Sequence, residues 1–308
     1  MCYSAQVHAE FKQFKRQFGA VMDLNAYVKT FWWGQGLNPI AKAPRALIRE
    51  LQEIAPPDLR QNLLEADAVA VASLEEELSA QQKRVADAER RLLLKETKKA
   101  REDIRIGTNN ALGATRRLEM LRRRHMLPED SRIFPGSYCP VMTSVGGERV
   151  VRPMRYQCRP AGKPVRYDAD FAGTYNARRD NLEGFWKKQF GFTHGVMVAD
   201  RFYENVEGPY GKNRRLEFVP RTGEPMLIAC LWSHWQDPNG IEPDLLSFAA
   251  ITDNPEPEVA FAGHDRTVIN IKPEHLDAWL NPDPNDLATL YEIFDDKRHP
   301  FYEFREAA

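Results

Sequence analysis

The 308 residues carry 43 Lys and Arg against 44 Asp and Glu, a formal net charge of −1, with 43% hydrophobic and 10% aromatic residues. That content is ample for a packed core in one large domain or two small ones, and the balanced charge excludes a chain that is basic throughout, so a polyanion site must be a local patch. No apolar run approaches the roughly 20 residues needed to span a bilayer, and the start MCYSAQVHAEFKQFKRQ lacks the basic-then-apolar order of a signal peptide, so the expectation is a cytoplasmic protein, nucleoid-associated in a bacterium, with no membrane partner.

Cys2, Cys139, Cys158 and Cys230 are scattered without CxxC spacing, which argues against a disulfide framework or a zinc site and for reduced thiols; neither a metal nor a cofactor is expected. Val7, Phe11, Phe14 and Phe18 stand at helical spacing before Gly19 and predict a short helix within residues 5–30. From Asp58 to Met126 there is no proline, and Val71, Leu78, Val85 and Leu92 recur every seven residues, with Leu74 and Ala88 on the neighbouring seam. This predicts a long, coiled-coil-like helical segment, with the turn composition of Gly107 to Gly113 as the place where it folds back. Its second half is basic, from Lys83 through Arg91, Lys99 and Arg105 to Arg124; it reads either as a solvated face or as an arm along phosphates. After Pro128, runs such as VMTSVGG, RVVRPMRY, GVMVADRFYENV, PMLIACLWSHW, LLSFAAITD and RTVINI, separated by Gly, Pro, Asn and Asp, predict a β-rich domain. Helices are expected over Asn181 to Phe190 and Pro273 to Leu280, with a polar tail from Asn281 packed outside the sheet.

Four elements can carry chemistry. Cys2, once Met1 is removed, offers an α-amine and a thiol on one carbon skeleton; the amine adds to an aldehyde and the thiol closes on the imine carbon to give a thiazolidine. Thr174 to Asp180 holds Asn176, which can orient a polar reactant, beside arginines that can fork around phosphates. The run Gly195 to Glu204 delivers Glu204 beside aromatics, where desolvation raises a carboxyl pKa and suits it to proton transfer. Gly263-His264-Asp265-Arg266 sets a histidine between strands next to a second arginine. Taken singly, each has a bland alternative: a chance cysteine, a turn with solvated charges, a Glu paired with an Arg, a His-Asp turn.

In this order and setting the four elements resemble the SRAP family, for SOS response-associated peptidase. The resemblance rests on Met1-Cys2, Asn176-Ala177-Arg178, the strand Ala199 to Glu204 and His264-Asp265-Arg266, with Ile269 to Pro273 and Ala278-Trp279-Leu280 matching the family's closing pattern. It covers residues 1 to about 30 and about 132 to 300. It implies an α+β, β-rich fold around a distorted barrel, a single SRAP-like catalytic domain over 1–308 interrupted by a helical insertion over 58–127 whose partner is unknown. It also implies a substrate: an abasic site in single-stranded DNA, captured by Cys2 as a crosslink. Catalytic residues would be Cys2, Asn176, Glu204 and His264, and DNA-binding residues Arg178, Arg266 and Arg155. A cysteine peptidase using Cys2 with His264, and a non-catalytic nucleic-acid adaptor using the basic helices, are the alternatives. The chain departs from the family pattern at Cys2-Tyr3-Ser4, where Cys-Gly-Arg is usual, at Met154 to Gly162, where two tryptophans are replaced, and at Thr267-Val268, where Met-Pro is usual. Tyr156, Trp32, Trp33 or Phe134 is the expected substitute for the missing aromatic wedge.

Overall fold

The structure is a computed structural model that describes residues 3–31, 42–208 and 211–307. In chain order the elements are β1 (Ser4–Val7), α1 (Phe11–Phe18), β2 (Val21–Met22), α2 (Leu24–Phe31), α3 (Arg45–Ile54), α4 (Pro57–Leu94), α5 (Lys98–Arg122), β3 (Arg132–Ile133), β4 (Tyr138–Val145), β5 (Glu148–Tyr156), α6 (Tyr167–Asp170), β6 (Asn176–Arg178), β7 (His194–Glu207), β8 (Asn213–Pro220), β9 (Met226–Trp235), β10 (Leu245–Asp253), α7 (Pro257–Phe261), β11 (Thr267–Val268), α8 (Leu276–Leu280), α9 (Leu287–Asp295) and β12 (Tyr302–Glu306). The fold class is α+β. The chain divides into two compact units, Met1–Glu50 with Ser131–Ala308, and Leu51–Asp130.

In the first unit every described strand belongs to one sheet. Pairing runs β10–β5–β4–β7–β9 and returns to β10, but β4 meets β7 at a single registered pair, Met142 with Val196, and β5 meets β10 at two. The circuit is therefore a partial, distorted ring of strands and not a regular barrel. β7 is its central strand, bonded to β1, β4, β8 and β9. It is covered on both faces, which is why Gly195 to Ala199 reads as an unbroken apolar run instead of an alternating one. Phe202, Phe218, Met226, Phe248 and Tyr302 fill the core from successive strands.

Three local expectations for this unit are corrected. Val7 closes strand β1, opposite Ala199, so the helix begins only at Phe11; cross-strand pairing outweighs a helical spacing of one extra residue. Asn181 to Phe190 is not a helix: Asn181 ends a 3₁₀ segment begun at Arg179, and Leu182 to Phe190 forms consecutive turns. The tail from Asn281 does not stay outside the sheet, since β12 pairs with β8 and buries Tyr302.

In the second unit α4 and α5 form a hairpin whose core is Leu74, Ala114 and Leu118, packed by Val71, Leu78 and Leu121. The expected turn at Gly107–Gly113 lies inside α5; the chain reverses at Lys95-Glu96-Thr97, where Thr97 Oγ1 caps α5 by accepting from Ala100 N–H at 3.2 Å. Gly107 serves helix packing: a Cβ there would stand 2.7 Å from Val85 Cγ2. Much of the basic character is neutralised across the hairpin, with Arg84 and Arg91 both on Asp103 at 2.7 and 2.9 Å, Arg117 on Glu77 at 3.0 Å, and Arg122 on Glu75. Among the described residues no helix is long and apolar enough to cross a membrane.

Candidate functional site

β6 runs parallel to β10 with Asn176 opposite Ala250 and Arg178 opposite Thr252. Residues two apart share one face of a strand, so Asn176 and Arg178 are presented together. Asn176 Oδ1 accepts from the Tyr156 hydroxyl at 3.4 Å, while its Nδ2 is buried and finds no hydrogen-bond partner among the described residues. Such a donor is costly to leave unmet, by about 1–3 kcal/mol, and it is suited to a ligand oxygen. Arg178 pairs with Asp180 at 3.1 Å.

Glu204 enters from β7, where Ser4 of β1 stands opposite its neighbour Tyr203. Glu204 is 2% exposed. Burial pushes its carboxyl up to about 8, against a hydrogen bond from the Tyr3 backbone and the positive charge of Arg266. His264 arrives from the segment between α7 and β11. Gly263 takes φ +94°, a conformation that disfavours any side chain, and the turn it makes bonds His264 N–H to Val259 O at 3.1 Å. His264 Nε2 then lies 3.3 Å from Glu204 Oε2. Nδ1 is 2.9 Å from Arg266 O and 3.4 Å from Arg266 N; the shorter contact assigns the ring proton to Nδ1 and leaves the Nε2 lone pair facing Glu204. Burial lowers the imidazole pKa as well. At neutral pH the pair is thus a neutral acid beside a neutral base, an arrangement able to give and take protons without a net charge being buried. Arg266 is held by Asp265 at 2.7 Å and feels the charge of Asp180.

Of the residues expected at the site, the fold brings Glu204, His264 and Arg266 together, while Asn176 and Arg178 stand on β6, which pairs with β10. Cys2, Trp32 and Trp33 lie outside the described residues. Arg155 is engaged elsewhere: its guanidinium donates to both oxygens of Asp168 at 2.7 and 3.0 Å, and Arg159 grips the same carboxylate. Tyr156 is fully buried, stacked on Phe248 with centroids 5.2 Å apart, so it is not an exposed aromatic wedge. Gln157, next to it, holds φ +144°. Phe134 is 39% exposed and meets Tyr3 edge-on at 5.8 Å.

Arg132 was not foreseen. It donates to Ser4 Oγ at 2.8 and 3.1 Å and lies over the Tyr203 ring at 3.6 Å, clasping the N-terminal strand to the one that carries Glu204. Its two-residue strand has no pattern to mark it. The three described cysteines are buried, and burial raises all of their thiols, Cys158 to about 12, so none is a nucleophile. The described residues hold no cluster of metal-binding side chains.

Comparison with solved structures finds a protein from Bordetella bronchiseptica at TM-score 0.48 and 20% identity, covering 58% of this chain and 87% of that one. A protein from Bacteroides thetaiotaomicron follows at 0.46 and 15%, covering 58% and 78%, and a phage-related protein from Bordetella bronchiseptica at 0.44 and 21%, covering 61% and 85%. No curated protein matches the chain. The model of the family described as SOS response associated peptidase matches residues 91–307, a span that begins within α4, contains Arg155, Asn176, Arg178, Glu204, His264 and Arg266, and stops short of Cys2. With that match over most of its length, the chain belongs to the SRAP family, which ties it to the DNA-damage response in a role related to abasic sites.

Proposed function

We propose that the protein captures abasic sites in single-stranded DNA covalently through Cys2. The ring-opened abasic sugar presents an aldehyde at C1′. The α-amine of Cys2, free once Met1 is removed, attacks that carbon, and the carbinolamine loses water to give an imine. The thiol then adds across the C=N bond: sulfur bonds to carbon, its proton passes to nitrogen, and a five-membered thiazolidine closes with one water released in all. A peptide amide offers no such imine carbon, which places this chemistry ahead of peptide cleavage.

The observation that carries this reading is the buried Glu204–His264 pair at 3.3 Å, reached by the backbone of Tyr3, the covalent neighbour of Cys2. Glu204, protonated at neutral pH, shuttles protons in sugar-ring opening and in crosslink reversal. His264 accepts and returns a proton at the imine. Asn176 orients the sugar and the N-terminal residue. Arg178 and Arg266 hold the flanking phosphates, each by exchanging an aspartate partner for a phosphate; Arg155 would have to leave a bidentate pair to join them.

The test is a denaturing gel of the full protein incubated with a single-stranded oligonucleotide bearing one abasic site. A shifted band that survives heating is expected for wild type and is lost in Cys2→Ser; an equal yield of heat-stable adduct in that variant would overturn the proposal.

A further inference from the structure

Beside Asn176 and Arg178 the surface folds into a depression that the roles above leave unused, walled by Phe171, Asn176, Arg178, Asp180, Phe185 and Trp186. Phe171 and Phe185 are 47% and 43% exposed, with centroids 6.3 Å apart. Neither ring is loosely held. Phe171 stacks on buried Tyr167 at 4.5 Å, and Phe185 meets buried Trp186 edge-on at 5.0 Å. Their backbones are pinned as well, Phe171 N–H to Tyr167 O at 2.9 Å and Phe185 N–H to Asn181 Oδ1 at 3.1 Å. The fold therefore spends packing and hydrogen bonds to hold two aromatic faces in water, next to a guanidinium.

We propose that this depression is a nucleobase subsite, taking the base of a nucleotide that flanks the abasic residue and stacking it on Phe185 and Phe171. The inference rests on the reading of Asn176, Glu204 and His264 as the site of the abasic sugar. Arg178 links the two places: it shares a strand face with Asn176 and lines the depression, while its partner Asp180 is near enough to Arg266 for their charges to attract. A strip of alternating cation and polar group so runs from Glu204 to Phe185, the order that a strand offers as sugar, phosphate and base. Aromatic faces beside an arginine suit single strands of any sequence, because every base has a π-face; removing one such stacking ring typically weakens binding about 5- to 150-fold. An apolar protein side chain would gain nothing from Arg178, which favours the nucleotide.

The test uses full-length protein and a single strand carrying a tetrahydrofuran abasic analogue, which has no aldehyde and forms no crosslink, with 2-aminopurine immediately 5′ or 3′ of it. Stacking quenches this probe. Quenching at one flanking position is expected for wild type, retained in Phe185→Tyr and lost in Phe185→Leu, which keeps apolar volume without the ring, with affinity falling about 5- to 150-fold. Thermal melts of each variant establish that it folds; should Phe185→Leu fail to fold, Phe171→Leu serves in its place. No quenching at either position in wild type, or quenching unchanged in both leucine variants, would overturn the subsite. Crosslinking of a natural abasic strand by wild type is measured in parallel. Crosslinking without quenching overturns the subsite alone, and quenching without crosslinking overturns the capture chemistry alone.

Discussion

Nε2 of His264 and Oε2 of Glu204 stand 3.3 Å apart, and the carboxyl, at about 8, is the member of the pair that keeps its proton at neutral pH. Its folded value lies above its ordinary 4.5, so between the two the folded state holds a proton that the unfolded state releases. The stability tied to the neutral carboxyl is full below the ordinary value and is lost as pH rises through the folded one. Melting temperature followed from pH 5 to pH 9 should show a decline in wild type that Glu204→Gln lacks; identical profiles would mean that Glu204 ionises normally.

Removing the same proton carrier should slow crosslink reversal by ~10²–10⁴-fold, the usual contribution of a general acid–base group. Release from a preformed crosslink, timed for wild type and Glu204→Gln, reads this directly. Binding to undamaged strands should barely differ between them. An unaltered reversal rate would leave Glu204 a structural residue only.

His194 titrates in the opposite sense. It is buried against Trp279 with Nδ1 at 3.0 Å from Trp279 O and Nε2 accepting from Gly191 N–H at 2.9 Å, and burial lowers it to about 3 from 6.5. The unfolded chain takes up a proton there that the folded one refuses, so stability is full above the ordinary value and falls as pH drops from 6.5 toward 3. Replacing it by glutamine should flatten the acid side of the stability profile while lowering stability overall; an acid limb of unchanged slope would exclude this origin.

In the helical unit, Gly107→Ala should destabilise although alanine is the better helix former by about 1 kcal/mol. The new Cβ would press on Val85 Cγ2 at 2.7 Å, on a side chain stiff at χ1, and overpacking of this kind costs about 1–3 kcal/mol. Urea denaturation should show the loss, and adding Val85→Ala should recover part of it. A Gly107→Ala protein as stable as wild type would mean that the helices separate without cost.

Between Arg90 and Arg101 there are six basic residues and one acidic. If this end of the hairpin meets DNA, each phosphate it neutralises releases a counterion and steepens the salt dependence of binding. The ion pairs across the hairpin engage Arg84, Arg91, Arg117 and Arg122 already, so the slope should be smaller than the count of basic residues suggests. Replacing residues 60–126 with a short Gly-Ser linker should flatten it without abolishing crosslinking. A slope that stays the same while the mass in solution changes would assign the hairpin to self-association instead.

What the sequence by itself determined is what depends on near neighbours along the chain. The strand runs after Pro128 appear as β4, β5, β7, β9 and β10, and the seven-residue recurrence appears as a helical pair, because period and apolar content are properties of a few consecutive residues. The order of the motifs likewise singles out Asn176, Glu204 and His264, while the contact of Glu204 with His264 belongs to the tertiary structure. Only the tertiary structure decided the rest. Gly107 reads as a turn residue until α4 is known to lie against it. Tyr156 and Phe185 are both aromatics in polar stretches, yet one is fully buried on Phe248 and the other faces solvent. Glu204 owes its raised pKa to strands distant in sequence that exclude water from it. Burial, ionisation and the partner of each side chain are set by contacts between residues far apart in the chain, and local pattern carries no record of those contacts.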